Sequence, residues 1–150
     1  MRKNKKIKNS KPLIKIKGIP EEKKILNENI EGVSDIDYPL FSFRYLHDDS
    51  FTERNDIAFL QDFLIRLLKM SELGWNGIRQ SNRHQYGMEK LPRAQLVVKL
   101  KNIPPFITPE VKEFHVFRSS GDKRTFVGFQ KDKVFHIFFI EAKHGDICKH

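Results

Sequence analysis

The chain has a single cysteine, Cys148, so it can form no internal disulfide, and a Cys-rich zinc site is excluded as well. It has no apolar run near the ~20 residues that a membrane helix needs. Its first residues, Met1-Arg-Lys-Asn-Lys-Lys6, lead into no apolar signal core. Together these gaps predict a cytoplasmic protein in a reducing setting, with no membrane partner. A glycine-rich phosphate loop is missing, which leaves nucleoside-triphosphate chemistry without support. No His-Glu-x-x-His helix occurs, and Glu141, His144 and Asp146 have only generic spacing. Neither a metal nor another cofactor is expected.

Positive charge is what the chain has in surplus. Its 150 residues carry 28 Lys+Arg and 19 Asp+Glu, a formal net charge of +9. The surplus is uneven: ten bases face two acids in residues 1–24, two face nine in 25–62, and sixteen face eight in 63–150. The first block is lysine-rich and poor in large apolar side chains, the composition of a flexible arm. Near a polyanion such an arm gains free energy by releasing condensed counterions. The acidic block reads as a solvated face or as a dock for a basic partner. The division expected is a basic arm over 1–24 and a single α+β domain over 25–150.

Within that domain, Phe41, Phe43 and Tyr45 alternate with polar residues and predict a strand over Tyr38–Leu46. Asn55 or Asp56 can cap a helix whose apolar residues Ile57, Leu60, Phe63, Leu64, Leu67 and Leu68 recur three and four apart. That stripe is expected in the core, with Gly74 closing the helix in a left-handed conformation and Trp75 covering its end. Residues 76–92 are irregular, with a short helix possible around Gly77–Ser81. Gln95–Lys101 alternates like a strand and is ended by Pro104 and Pro105. Thr108-Pro-Glu110 suggests a turn or a one-turn helix. Three aromatic and β-branched segments, Phe114–Arg118, Thr125–Gln130 and Val134–Glu141, are separated by short polar turns and predict an antiparallel meander. The fold class expected is α+β, an antiparallel sheet packed on one long amphipathic helix.

The candidate chemistry is basic and imidazole-based. His84 lies in the polar loop Arg79-Gln-Ser-Asn-Arg-His-Gln-Tyr-Gly87, beside Arg83 and Tyr86. His144 follows the last strand, three residues after Glu141, a spacing that can orient an imidazole. Histidine can take a proton from a ribose 2′-OH or give one to a leaving oxygen near neutral pH. His115 and His136 fall on strands, and His136 sits amid apolar residues as a core group would. Arg118, Lys123 and Arg124 flank the first turn of the meander, and arginine forks bind phosphate at two points. Arg79, Arg83, Tyr86, Arg118 and Lys123 are therefore expected to contact nucleic acid, with Tyr86 stacking on a base. Cys148 lies too near the chain end to be an expected nucleophile.

The stretch Phe117–His144 resembles a family of bacterial proteins without assigned function, which end in an Arg-x-x-Gly-Phe strand (here Arg124-Thr-Phe-Val-Gly-Phe129, one residue longer), a short turn, a Val-Phe-x-x-x-Phe-Ile-Glu strand and a final His. The Ser81–Gly87 loop belongs to the same pattern. More distantly, the basic meander is similar to the RelE/YoeB/HigB class of toxin ribonucleases. Their arginine at the opening of a strand matches Arg124, and their base or acid after the last strand matches His144. An acidic segment and one long helix precede the meander here, where those toxins have a helical hairpin. The resemblance implies a metal-independent endoribonuclease of a toxin–antitoxin or phage-defence system. His84, His144 and Arg124 would be its catalytic residues, RNA its substrate, and the ribosome and an antitoxin protein its partners. The alternative is a non-catalytic nucleic-acid-binding module whose arm supplies most of the affinity.

Overall fold

A computed structural model describes residues 35–50 and 56–148, within the unit Ser34–His150. The expected basic arm and the boundary after residue 24 lie outside the described residues. Among the described residues five strands form one mixed sheet and one long helix packs on it, an α+β architecture. The strands are β1 (Leu40–Ser42), β2 (Glu89–Pro92), β3 (Glu113–Arg118), β4 (Thr125–Lys131) and β5 (Val134–Ile140), in the spatial order β1-β5-β4-β3-β2. The expected meander is present: β3, β4 and β5 pair antiparallel in sequence order. Asp132 takes the left-handed conformation in the tight β4–β5 turn (φ 54°), which its short polar side chain tolerates.

Two strand expectations are corrected. The segment Tyr38–Leu46 contributes only Leu40–Ser42, which pairs parallel with β5 at the sheet edge. Beyond it the chain leaves the ladder, and the His47 N–H still donates to the Phe138 carbonyl at 2.7 Å. Gln95–Lys101 forms no strand; a single bridge joins Leu96 to Cys148. Its alternation comes from Leu96, Val98 and Leu100 packing as a loop under the sheet. The fourth antiparallel strand is β2, from the segment that looked irregular because Pro92 interrupts its pattern.

The helix α1 (Ile57–Gln80) starts where expected, with the Asp56 carboxylate accepting from the Phe59 N–H at 2.9 Å. Gly74 has φ 68°, but the chain turns helical again after it, so the element continues to Gln80 with a kink. A Cβ at residue 74 would lie 2.6 Å from the Asp37 carbonyl oxygen, which accepts from the Trp75 N–H at 2.8 Å. Glycine is required there by both conformation and space.

The buried side of α1 is Phe59, Phe63, Leu67, Met70, Trp75 and Ile78, packed on Phe117, Phe126, Phe135, Ile137 and Ile140. Ile57, Leu60, Leu64 and Leu68, expected in the core, are exposed. At 3.6 residues per turn these two apolar stripes are neighbours on one helix, and the expected stripe straddles both. The opposite face of the sheet carries Leu91, Phe114, Val116, Val127, Phe138 and Phe139, covered by residues from 96–111 and by Ile147. The central β5 is thus covered on both faces, as its composition implied. A bulge opposite Val127 and Gly128 takes Phe138 out of the pairing, so Phe138 and Phe139 both join this second cluster in place of strict alternation.

Candidate functional site

The outer face of the sheet ends in a small pocket of about 70 Å³, enough for a few water molecules or one tetrahedral anion. Glu89, Lys90 and Leu91 of β2, Val116 and Arg118 of β3, Thr125 of β4, and His144, Ile147 and Cys148 of the terminal turn line it. The β2–β3 register places Glu89 opposite Val116, and the β3–β4 register places Arg118 opposite Thr125. Both pairings run to the end of the sheet where the chain returns after β5.

That return is held by one buried carboxylate. Glu141 is 1% exposed and accepts four hydrogen bonds. One oxygen takes the Thr125 N–H at 2.7 Å and the Thr125 hydroxyl at 3.0 Å. The other takes the N–H groups of Gly145 and Ile147, both at 3.1 Å. All four donors belong to the pocket wall or the turn beneath it, so Glu141 is the hub that shapes the site. The ring Nδ1 of His144 lies 3.8 Å from its Oε2, within ion-pair reach when the imidazole is protonated.

Arg118 donates to the Lys123 carbonyl at 2.7 Å, a neutral acceptor, and forms no ion pair with any described residue. Its charge acts on Arg66 of α1, whose pKa is lowered by burial and, more weakly, by Arg118, against an opposing effect of Tyr86. Lys90 pairs with Glu113 at 3.3 Å on the exposed rim. Burial pushes the Cys148 thiol pKa up, and the carboxylates of Glu141 and Glu89 add to the effect. Cys148 is thus a wall residue whose thiolate is disfavoured.

The expected site residues divide into three groups. Arg118 and His144 share the pocket. Arg83 and His84 connect to its rim: the Arg83 Nε donates to His84 Nε2 at 3.3 Å and lies 3.4 Å from the Glu89 carboxylate, a pocket residue. Arg124, Lys123, Arg79 and Tyr86 are not among the lining residues. Arg124 is engaged by Asp122 at 2.8 Å and Asp56 at 3.3 Å, and its side chain is 18% exposed. Burial alone would raise the Asp122 pKa, but hydrogen bonds from Arg124 and Ser120, with the Arg124 charge, hold it below the ordinary carboxylate value. Arg79 bonds to Asn76 one turn back. The Tyr86 ring carries the Arg66 guanidinium at 4.9 Å and packs against the helix-side core, so one of its faces is already taken.

His115 and His136 lie elsewhere. His115 stacks on Phe129 and accepts the Gln130 N–H at 2.9 Å. His136 packs on Phe106, 4.9 Å between ring centres. Burial lowers both pKa values. Lys90, Glu89 and Thr125 escaped the sequence reading. Met88-Glu-Lys-Leu91 has no two-residue period, so no local pattern marked Glu89 and Lys90, and Thr125 was read only as the start of a strand.

No cluster of His, Cys, Asp and Glu with metal-holding geometry occurs among the described residues, and none of their helices is long and apolar enough to cross a membrane. No family model, curated protein or solved structure matches this chain.

Proposed function

We propose that this chain is a toxin-like, metal-independent endoribonuclease and that the pocket between β2, β3 and the terminal turn is its active site. The observation that carries this reading is the meeting of Arg118, without a carboxylate partner among the described residues, and His144, backed by buried Glu141, around a space that fits one phosphate. Arg118 holds the scissile phosphate and stabilises the charge that grows on it as the ribose 2′-OH attacks. His144, placed beside Glu141, gives a proton to the departing 5′ oxygen. The products are a 2′,3′-cyclic phosphate and a 5′-hydroxyl end. Glu141 is fully occupied by its four donors and positions rather than reacts. His84, tied to the rim through Arg83 and Glu89, accepts the 2′-OH proton. RNA is the substrate, and the cytoplasm is where the protein meets it, free or on the ribosome.

The test is incubation of purified protein with total RNA, with and without ribosomes and with EDTA throughout, followed by mapping of cut ends. Cleavage lost at least 100-fold in His144→Ala and in Arg118→Ala, with folding intact, is the expected result. RNA bound but never cut would leave the non-catalytic binding module in its place.

A further inference from the structure

Two arginines come together at the rim of the pocket. The guanidinium of Arg66, from the middle of α1, donates to the Gln85 carbonyl and rests on the Tyr86 ring, 4.9 Å from its centre. Arg118, the last residue of β3, donates to the Lys123 carbonyl at 2.7 Å. The β2–β3 register sets them on the same loop. It pairs Glu89 with Val116, and carried two residues back it puts Gly87 beside Arg118. Met88 and Phe117, the pair between, both pack in the helix-side core, as that extension requires. Residues 85–87 therefore hold Arg66 and adjoin Arg118. The charge of Arg118 acts on Arg66 more strongly than does that of Asp62, one turn back on α1.

Neighbouring cations have carboxylates. Arg83 lies 3.4 Å from Glu89, Lys90 3.3 Å from Glu113, and Lys69 2.9 Å from Glu72. Neither Arg66 nor Arg118 forms an ion pair with a described residue; their anchors are two carbonyls and an aromatic ring. Like charges so placed repel, and an anion between them reverses the sign of the interaction. Each arginine bonds through Nη1, which leaves Nε and Nη2 to grip a phosphate at two points. Arg118 lines the space that fits one phosphate and Arg66 does not, so Arg66 is placed for a different phosphate of the same strand.

We infer that Arg66 binds the phosphate next to the scissile one, so that the RNA leaves the pocket past Arg118 and crosses the 85–87 loop to α1. The inference rests on the reading of the pocket as the cleavage site. A pocket that admits one phosphate, with the next contact around its rim, needs a strand that bends between adjacent nucleotides. The substrate is therefore single-stranded. Contacts to phosphate fix the path of that strand and carry no information on base identity.

Uncleavable RNA tests this apart from catalysis. Binding of a labelled 2′-O-methyl oligonucleotide, which lacks the attacking hydroxyl, is followed by fluorescence anisotropy of the full chain across a salt series. Arg66→Gln should weaken binding about 5-fold or more, with unchanged circular dichroism, and should lower the slope of log affinity against log salt by about 0.7, the value of one phosphate contact on a single strand. Arg66→Lys keeps the charge and should keep the slope. With unlabelled 2′-O-methyl competitors, the loss in Arg66→Gln should be larger for a trinucleotide, with two phosphates, than for a dinucleotide, with one. An unchanged slope in Arg66→Gln overturns the inference even if RNA is cut. So does Arg66→Lys with the slope of Arg66→Gln, because Arg66 then only staples the loop, and so do equal losses for the two competitors. If the expected losses appear but the wild type cuts no RNA, the two-phosphate contact stands and the cleavage reading falls. A wild type that does not bind the probe overturns both.

Discussion

Arg124 places its guanidinium carbon 3.8 Å from the centre of the Phe59 ring, and so fastens the β3–β4 turn to the first turn of α1. The same group bonds to Asp56, which caps the helix, and to Asp122 in the turn. A cation so placed links the helix start to the sheet. Arg124→Ala should lower stability by about 1–2 kcal/mol, from a lost cation–π contact and two solvent-screened ion pairs. Chemical denaturation measures that loss. RNA cleavage by the fraction still folded should change little, in contrast to Arg118→Ala. A large loss of cleavage by fully folded Arg124→Ala protein would return Arg124 to the catalytic group.

Glu141→Gln keeps the shape of the hub but replaces one acceptor oxygen with a donor. At least two N–H or O–H groups then face an amide N–H, and a cost of about 3 kcal/mol is expected. Hydrogen exchange provides the local readout: the amides of Gly145 and Ile147 should lose protection before those of β4. Equal protection in wild type and variant would show that the hub does not hold the turn.

The folded state holds the His115 and His136 pKa values below the ordinary value near 6.5. The unfolded chain therefore binds more protons than the folded one as pH drops through 6.5. Their contribution to stability is fully present above that pH and is lost as pH falls toward the folded-state values. The melting temperature should decline from pH 7 to pH 5. Replacing both histidines with glutamine should flatten that part of the profile, and an unchanged slope would count against the assignment.

The Cys148 thiol, with its pKa raised, should react with iodoacetamide more slowly at pH 8 than a free thiol does. Unfolding in urea should restore the ordinary rate. A folded-state rate above that of the free thiol would contradict the electrostatics described for the pocket wall.

Gly128 lies where β4 crosses the bulge. A Cβ there would stand 2.1 Å from the His136 carbonyl oxygen and 2.7 Å from the Phe135 ring. Gly128→Ala must push apart the two central strands, and a loss of 3 kcal/mol or more is expected in denaturant titration, or failure to fold.

Local chemistry was legible in the sequence wherever it acts between near neighbours. The meander could be read because aromatic and β-branched runs alternate with short polar turns, and the Asp56 cap because a carboxylate reaches the N–H three residues on. The Glu141–His144 pair also follows from spacing alone. Misreadings arose where two patterns compete. Leu96, Val98 and Leu100 alternate as a strand would, yet they pack as a loop beneath the sheet. Pro92 hid a strand that tolerates it at the sheet edge.

The amino-acid order by itself determined the three strands of the terminal meander, where the helix begins, and that cations and imidazoles lie near the terminal hairpins. Those properties depend on side chains a few residues apart. Only the tertiary structure decided which apolar stripe of α1 is buried, since both stripes are equally oily and the sheet can cover just one. It also decided that Arg118 meets His144 at a pocket while Arg124 is spent joining turn to helix, because strand register and the path of the chain after β5 set those distances, and neither is written in local spacing.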